Sequence, residues 1–251
     1  MTYLWGKDMD VPTLIEQCSA AGLTGVELRT THKHGVEPTL SAAQRAEVKK
    51  RFADSPVKLV GIGSDERFDN PDAAVLGKAM AATKDFLVLS KDIGSSGVKV
   101  KPDRFHPKVE RQKTIEQIGK SLNELGAFAA NLGQEVRLEV HGQCAVPTII
   151  KQIMDVADHP AVSVCWNSNA EDLKEKGLEH HFRLLRPRFG ATMHVHELED
   201  AKYPYAELFR LVLETKWRGW ALLEASSNPK DKKAAMTKQR EMFEKLTGMK
   251  S

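Results

Sequence analysis

The stretch Val136-Arg137-Leu138-Glu139-Val140-His141 alternates aliphatic and polar residues. In a β-strand alternate residues share a face, so Arg137, Glu139 and His141 point one way and three aliphatic side chains point the other. An unpaired buried charge is strongly disfavoured, so these polar groups must pair, bind a metal or bind a substrate. The pattern predicts a barrel strand that carries part of a site at its C-terminal end.

Six more short hydrophobic runs recur along the chain, and helical stretches separate them. Strands are predicted at about 25–29, 57–63, 97–101, 135–140, 162–166, 192–197 and 219–224. Apolar residues at i, i+3 and i+4 predict helices over 11–21, 41–52, 72–90, 110–132, 147–157, 171–185, 204–216 and 232–247. Strand and helix therefore alternate throughout, which predicts an α/β fold with a parallel sheet.

Polar residues end the last four runs at regular intervals. Glu139, Asn167, His196 and Glu224 follow one another at spacings of 28, 29 and 28 residues, each the length of one compact βα unit. We therefore predict a (β/α)8 TIM barrel as a single domain over residues 1–251, with its site where the C-terminal strand ends open on one face. Since only seven runs are convincing, the first strand is expected to be short or truncated, with a remnant between Thr2 and Trp5.

These four tip residues would surround one point. Their two carboxylates, one amide oxygen and one imidazole suit a divalent ion. Mn²⁺ and Mg²⁺ are the expected ions, Zn²⁺, Co²⁺ and Fe²⁺ are also compatible, and the remaining coordination positions are left to water or substrate oxygens. The alternatives are that Glu139 and Glu224 pair with Arg137 or a lysine, that His196 is a hydrogen-bonded core histidine, and that Asn167 caps the following helix.

Other charged or imidazole side chains lie at or near the tips of the remaining runs. We interpret them as contacts for substrate hydroxyls, a carboxylate or a phosphate: Glu27, Arg29, Lys99, Lys101 and His194, with His34 in the loop after the first tip. Glu27 and Arg29 could instead form a structural ion pair. His194 is also a second candidate ligand, because it shares a face with His196.

Five motifs together carry a family resemblance. They are Gly22-Leu-Thr-Gly-Val-Glu-Leu-Arg29, Leu138-Glu-Val-His-Gly142, Cys165-Trp-Asn-Ser-Asn169, His194-Val-His196 and Leu222-Leu-Glu224. In order and spacing they resemble the xylose isomerase-like TIM-barrel superfamily of sugar (phosphate) isomerases and epimerases. In the epimerase branch the metal ligands are Glu, Asp, His and Glu, which implies Glu139, His196 and Glu224 here. Position 167 departs from that pattern, since it is Asn.

The resemblance implies a metal-dependent isomerase or epimerase acting beside the carbonyl of a ketose. Glu139 and Glu224 would move a carbon-bound proton through an enediolate, and His141 could take a proton from a hydroxyl or a carbon. An amide at 167 should loosen metal binding and raise the Lewis acidity of the ion. The alternatives are a lyase or dehydratase acting on a keto-sugar or keto-inositol, and a sugar-binding barrel without catalysis. The endonuclease IV branch is disfavoured, because its three-zinc cluster needs more His and Asp ligands.

Composition restricts the partners. The 251 residues are 28% charged with a formal net charge of +3, and basic and acidic residues are interspersed, which argues against a nucleic-acid partner. No run approaches the roughly 18 apolar residues of a membrane span. Three scattered cysteines without a CxxC pair fit a reducing cytoplasm. A small-molecule carbohydrate is therefore the expected partner, and a homo-oligomer is compatible with the sequence.

Overall fold

The computed structural model describes residues 1–249 and contains a sheet of seven parallel strands, hydrogen-bonded in sequence order and curled into a nearly closed barrel. The strands are β1 Gly25–Arg29, β2 Lys58–Arg67, β3 Gly97–Lys101, β4 Glu135–Glu139, β5 Val162–Asn167, β6 Phe189–Val195 and β7 Trp220–Leu223. The α-helices that alternate with them are α1 Val11–Ala21, α2 Ala42–Ala53, α3 Ala73–Asp92, α4 Arg111–Asn131, α5 Pro147–Val156, α6 Gly177–Leu185, α7 Tyr205–Glu214 and α8 Lys232–Thr247. This is the predicted TIM-barrel architecture with seven of its eight strands.

Local sequence signals fix where α1 begins and ends. Asp10 occupies the N-cap, where its side chain accepts a hydrogen bond from the Thr13 amide at 2.9 Å. Pro12 lies in the first turn, where its missing N–H costs the helix nothing. Gly22 ends the helix at φ 73°, a left-handed conformation that glycine adopts without steric penalty. The chain therefore turns directly into β1.

The hydrophobic core lies between the outer faces of the strands and the surrounding helices. On α4, the apolar stripe of the helix, Ile115, Ile118, Leu122 and Leu125, is buried. Val98 and Leu138, on the strands behind it, are fully buried as well. Because the aliphatic face of each strand is used in this layer, the alternating polar residues face the barrel interior.

Two glycines of β2 make room inside the barrel for long charged side chains. A Cβ on Gly61 would lie 2.8 Å from Nη1 of Arg137, and a Cβ on Gly63 would lie 2.9 Å from Oε1 of Glu27. Both distances are too short for a side chain to be added without displacing its neighbour. The interior volume along β2 is therefore filled by side chains that reach across from β4 and β1.

The seam between β7 and β1 is bridged by the first two residues. The nitrogen of Met1 donates to the carbonyl of Leu223 at 2.7 Å, and the amide of Thr2 donates to the carbonyl of Glu27 at 3.1 Å. Residues 3–6 form bends rather than a strand. The expected remnant of a first strand is thus limited to these two bridging residues.

Two elements differ from the sequence prediction. β2 continues to Arg67, four residues past the predicted end at 63. The predicted helix over 171–185 is divided into a 3-10 turn, Ala170–Leu173, and α6. The backbone has positive φ at Glu175, between the two, and at Gly177, the first residue of α6. Among the described helices, none is both long and apolar enough to span a bilayer.

Candidate metal centre and active site

Three ligand-type side chains meet at the C-terminal end of the barrel. Glu139 ends β4, His194 lies near the end of β6, and Glu224 directly follows β7. One ligand atom from each lies within 4.8 Å of the other two. Nδ1 of His194 is 3.0 Å from a Glu139 oxygen and 3.5 Å from a Glu224 oxygen. Glu139 and His194 are fully buried, whereas the Glu224 side chain is 15% exposed, so the group opens to the mouth on the Glu224 side.

Asn167 faces the same point from the end of β5. Its Nδ2 donates to Glu139 at 3.1 Å and to Glu224 at 3.0 Å, while its buried Oδ1 has no hydrogen-bond partner among residues 1–249. A half-turn of the carboxamide would direct Oδ1 toward the two carboxylates. Such an arrangement of three oxygens is favourable only around a cation. The orphaned oxygen therefore fits Asn167 as a fourth metal ligand.

His194 is held from behind by Glu27. Its Nε2 is 3.0 Å from Oε1 of Glu27, which is fully buried beneath the site. A carboxylate on one ring nitrogen is the usual support of a metal-binding histidine, because it fixes the orientation of the ring. Burial alone would lower the pKa of His194, but the surrounding groups, Glu27 and Glu139 among them, raise this pKa well above its usual value. The Nδ1 proton would therefore have to leave when a metal binds.

Lys99 places a positive charge beside the same cluster. Its Nζ lies 2.8 Å from Oε2 of Glu139 and 3.2 Å from the carbonyl of Ser64. Burial would lower the pKa of Lys99, but Glu139 and Glu27 outweigh it and raise this pKa. Glu139 is thus divided between two roles, since Oε1 faces the cluster and Oε2 is bound to Lys99.

The two cluster glutamates have depressed pKa values. Burial alone would raise both, yet Lys99 and His194 hold the pKa of Glu139 well below its usual range. For Glu224 the hydrogen bond from His194 and the charge of that ring bring the pKa to about 2. Both carboxylates are therefore ionised at neutral pH, as metal ligands must be.

Charged side chains of β1, β2 and β3 converge on Asp65 at the rim of the barrel. Arg29, Lys101 and Arg67 approach its carboxylate at 3.1, 2.9 and 3.2 Å, respectively. The Asp65 side chain is 42% exposed, so the group lies at the open face. This rim cluster places three positively charged side chains at the mouth, on strands β1 to β3.

The structure brings together three of the four predicted ligands, Glu139, Asn167 and Glu224, with His194 where His196 was expected. Asn167 pairs with His194 in the strand register, which puts the two side chains at one level of the barrel. His196 lies one step further out, and its Nδ1 donates to the backbone carbonyl of Glu224 at 2.8 Å. The sequence pattern could not separate the two histidines, because they share a face and differ only in depth.

The predicted substrate contacts divide into buried and rim positions. Glu27 and Lys99 lie beneath the cluster, where they contact His194 and Glu139. Arg29 and Lys101 lie at the rim, where both contact Asp65.

Both ring nitrogens of His34 hydrogen-bond to backbone groups. Its Nε2 donates to the carbonyl of Arg29 at 2.8 Å, and its Nδ1 accepts from the amide of Val36 at 3.1 Å. Because both ring nitrogens are engaged, His34 braces the loop after β1. Its contact with substrate stays a prediction.

Three residues at the rim were not identified from the sequence, namely Asp65, Arg67 and Asp103. Asp65 and Arg67 belong to the part of β2 beyond residue 63, where the hydrophobic run ends and the predicted strand stopped. Asp103 follows β3 by two residues, and its Oδ1 lies 3.0 Å from Nδ1 of His141. The available signal was the polar stretch directly after each strand tip, a place where sites of this fold are built.

A family model described as xylose isomerase-like TIM barrel matches residues 15–246. The chain belongs to this family. Its members are recognised by the barrel and not by a single reaction, so family membership establishes the fold and leaves the substrate open. A search of curated proteins returned no match.

Solved structures of xylose isomerase-like barrels superpose on nearly the whole chain. A D-psicose 3-epimerase determined in the presence of D-fructose has a TM-score of 0.82 at 15% identity, covering 99% of this chain and 98% of that one. A 3-keto-D-glucoside 4-epimerase from E. coli has a TM-score of 0.78 at 14% identity, covering 96% and 95%. The IolI protein with a bound zinc atom has a TM-score of 0.75 at 14% identity, covering 96% and 94%. At these identities the likeness establishes the fold.

Proposed function

We propose that this protein is a divalent-metal-dependent sugar isomerase or epimerase. The observation that carries the proposal is the convergence of Glu139, His194 and Glu224, whose ligand atoms lie within 4.8 Å of one another at the open end of the barrel. The epimerases among the similar structures support the class of reaction. A small-molecule carbohydrate is the substrate that follows from this class.

Glu139, His194 and Glu224 would hold one divalent ion, with Asn167 contributing Oδ1. Two carboxylates give this set a charge that one divalent cation neutralises, and Mn²⁺ or Mg²⁺ suits the oxygen donors, with Zn²⁺, Co²⁺ or Fe²⁺ compatible. The zinc atom bound by the IolI protein supports metal binding by a barrel of this shape. When bound, the ion would polarise the substrate carbonyl and acidify the neighbouring carbon–hydrogen bond.

Glu224 is the better placed of the two glutamates to move a carbon-bound proton. Its side chain reaches the mouth, whereas Glu139 is fully buried with Oε2 bound to Lys99. His141, two residues beyond Glu139 on the same strand face, would be the second proton-transfer group. Arg29 and Lys101 at the rim would contact substrate hydroxyls or an acidic group.

Elimination is a second candidate, favoured by the same asymmetry. An epimerase needs proton transfer on both faces of a carbon, whereas a lyase or dehydratase needs one base and an acid for the departing hydroxyl. Glu224 as the base and His141 as the acid would meet the requirement of a lyase or dehydratase. The nature of the substrate then decides between a rearranged and an unsaturated product.

The test is a screen in D₂O against D-fructose, D-psicose, a 3-keto-D-glucoside and a keto-inositol. The protein would be loaded in turn with Mn²⁺, Mg²⁺, Zn²⁺ and Co²⁺. We expect deuterium at a carbon beside the carbonyl, with incorporation at least about 100-fold lower in Glu224→Gln. Glu214→Gln, a change on the outer surface of α7, serves as the control and should exchange normally. Full exchange in Glu224→Gln, or no reaction of the wild type with any compound, would contradict the proposal.

A further inference from the structure

We propose that Asp103 is a positioning residue that orients His141 as the second proton-transfer group of the reaction. This inference rests on the proposed function and names a residue that the metal cluster does not include. It follows from the contacts of His141 and from the way Asp103 is held. It also follows from the hydrogen bond of Lys99 to Glu139, which leaves that glutamate less available for proton transfer.

His141 continues the face of β4 on which Glu139 lies. Its backbone is extended, with φ −142° and ψ 153°, and the amide of the intervening Val140 still donates to the carbonyl of Cys165 at 3.1 Å. Alternation therefore directs His141 to the side of Glu139, one step nearer the mouth. The side chain is 35% exposed, which leaves the ring accessible to a substrate above the cluster.

The Asp103 carboxylate selects one tautomer of this ring. Its Oδ1 is 3.0 Å from Nδ1 of His141, and a carboxylate can only accept a hydrogen bond, so Nδ1 carries the proton. Nε2 is then left with its lone pair, and no residue between 1 and 249 hydrogen-bonds to it. A histidine oriented by a carboxylate, with its second nitrogen free, is an arrangement well suited to general acid–base catalysis.

Asp103 is itself fixed from several sides. Its backbone has φ 65°, and its carbonyl accepts a hydrogen bond from the amide of Cys144 at 3.2 Å. A Cβ on Gly142 would lie 2.4 Å from that same carbonyl oxygen, so only glycine allows the two loops to approach this closely. The second carboxylate oxygen lies 3.1 Å from Nε of Arg67. One oxygen of Asp103 therefore contacts His141 while the other lies beside the positive charge of Arg67, which favours this orientation of the carboxylate.

A second histidine–aspartate pair, between His106 in the loop after β3 and Asp69 in the loop after β2, serves as a matched control. Nε2 of His106 is 3.1 Å from Oδ2 of Asp69, and the His106 side chain is 24% exposed. His106 lies five residues beyond β3, whereas His141 lies two residues beyond β4 in extended backbone, so the His106 ring does not continue the face of Glu139. The chain therefore contains a second histidine–aspartate contact that is not placed beside the metal cluster.

The experiment is a double-mutant cycle in the intact, metal-loaded protein, using whichever ketose or keto-sugar of the panel the wild type converts. The variants are Asp103→Asn, His141→Gln and the double change. Product formation and deuterium uptake from D₂O are measured separately.

His141→Gln should lower product formation about 100-fold. Deuterium uptake should continue, because Glu224 still exchanges the carbon-bound proton. Asp103→Asn should lower product formation at least about tenfold, and the double variant should be no slower than His141→Gln alone. His106→Gln and Asp69→Asn should stay within about twofold of the wild type.

Nitrogen-15 NMR of the His141 ring gives a readout independent of turnover. The wild type should show a protonated Nδ1, and Asp103→Asn should favour the Nε2-protonated tautomer, because the amide can donate to Nδ1. An unchanged tautomer, wild-type rates in Asp103→Asn, or losses that multiply in the double variant would overturn the inference and leave the proposed function intact. A wild type that reacts with nothing in the panel would overturn the proposed function and this inference with it.

Discussion

Glu27 and His194 meet inside the barrel with 3.0 Å between Oε1 and Nε2, although 167 residues separate them in the chain. Glu27 belongs to β1 and His194 to β6, so the contact crosses the barrel interior. Its consequence is that Nδ1 of His194 is the ring nitrogen presented to Glu139 and Glu224. Without a partner behind the ring, His194 would be free to rotate away from the cluster.

Glu27→Gln should therefore weaken metal binding without removing a ligand. A glutamine can still accept a hydrogen bond from Nε2, but it lacks the charge that makes His194 a stronger donor. We expect a loss of about 10- to 100-fold in affinity for Mn²⁺ or Zn²⁺, measured by titration calorimetry. Glu16→Gln on the exposed face of α1 is the control, and equal affinity in the two variants would argue against the role given to Glu27.

Asn167→Asp should have the opposite effect. The substitution adds a negative charge among two carboxylates and removes the Nδ2 donor that contacts both of them. We expect metal affinity to rise about tenfold or more, and the melting temperature of the metal-free protein to fall, because the like charges repel. Calorimetric titration and thermal melts with and without metal measure both effects. Asn131→Asp at the exposed end of α4 should change neither, and an affinity that does not rise would place Asn167 outside the metal's coordination.

Gly61→Ala should destabilise the barrel although it removes no functional group. The added methyl would lie 2.8 Å from Nη1 of Arg137, which must then move within a filled interior. We expect a loss of about 1–3 kcal/mol in the free energy of unfolding by denaturant titration. Gly77→Ala is the control, because a Cβ there meets nothing within 4 Å and lies in α3. That change should stabilise the protein by about 0.5–1 kcal/mol, and equal effects at both positions would contradict the packing described for β2.

Asp172→Asn should remove a pH dependence of stability. Burial raises the pKa of Asp172 to about 7, although the Asn169 amide and the Tyr203 hydroxyl donate to its carboxylate. Because the folded pKa exceeds the unfolded value of 3.8, the contribution to stability is full below about pH 4 and is lost as the pH rises toward 7.

The gain of Asp172→Asn over the wild type should therefore grow between pH 4 and pH 8, by at most about 4 kcal/mol. Thermal or urea melts across this range measure it. Asp85→Asn on the surface of α3 is the control. A constant difference between Asp172→Asn and the wild type at all pH values would show that Asp172 ionises normally.

Most of the barrel could be predicted from periodicity, because buried strands and amphipathic helices each leave a pattern in the chain. Within residues 1–249 the eight helices and seven strands lie within a few residues of their predicted bounds, with the division of 171–185 as the main exception. There the sequence offers apolar residues at helical spacing, and the break depends on the positive φ of Glu175 and Gly177. Backbone conformation at a non-glycine residue has little signature in the sequence.

The types of residue in the candidate site could be predicted more completely than their depth along the barrel. The proximity of Glu139, Asn167 and Glu224 could be predicted because polar residues at the tips of parallel barrel strands face one opening. The choice of His194 over His196 depends on the register between β5 and β6, which pairing geometry sets and local sequence does not. Asp103 could not be linked to His141, because the contact joins two loops at a separation of 38 residues.

The glycines of β2 change what counts as a functional position in this protein. Gly61 and Gly63 have no side chain that could react or bind, yet the space they leave is occupied by the side chains of Arg137 and Glu27 inside the barrel. The geometry of the site thus depends on β2, a strand that supplies none of the proposed metal ligands. A redesign of this site for a new substrate therefore has to take account of Gly61 and Gly63, because a side chain added at either position would displace Arg137 or Glu27.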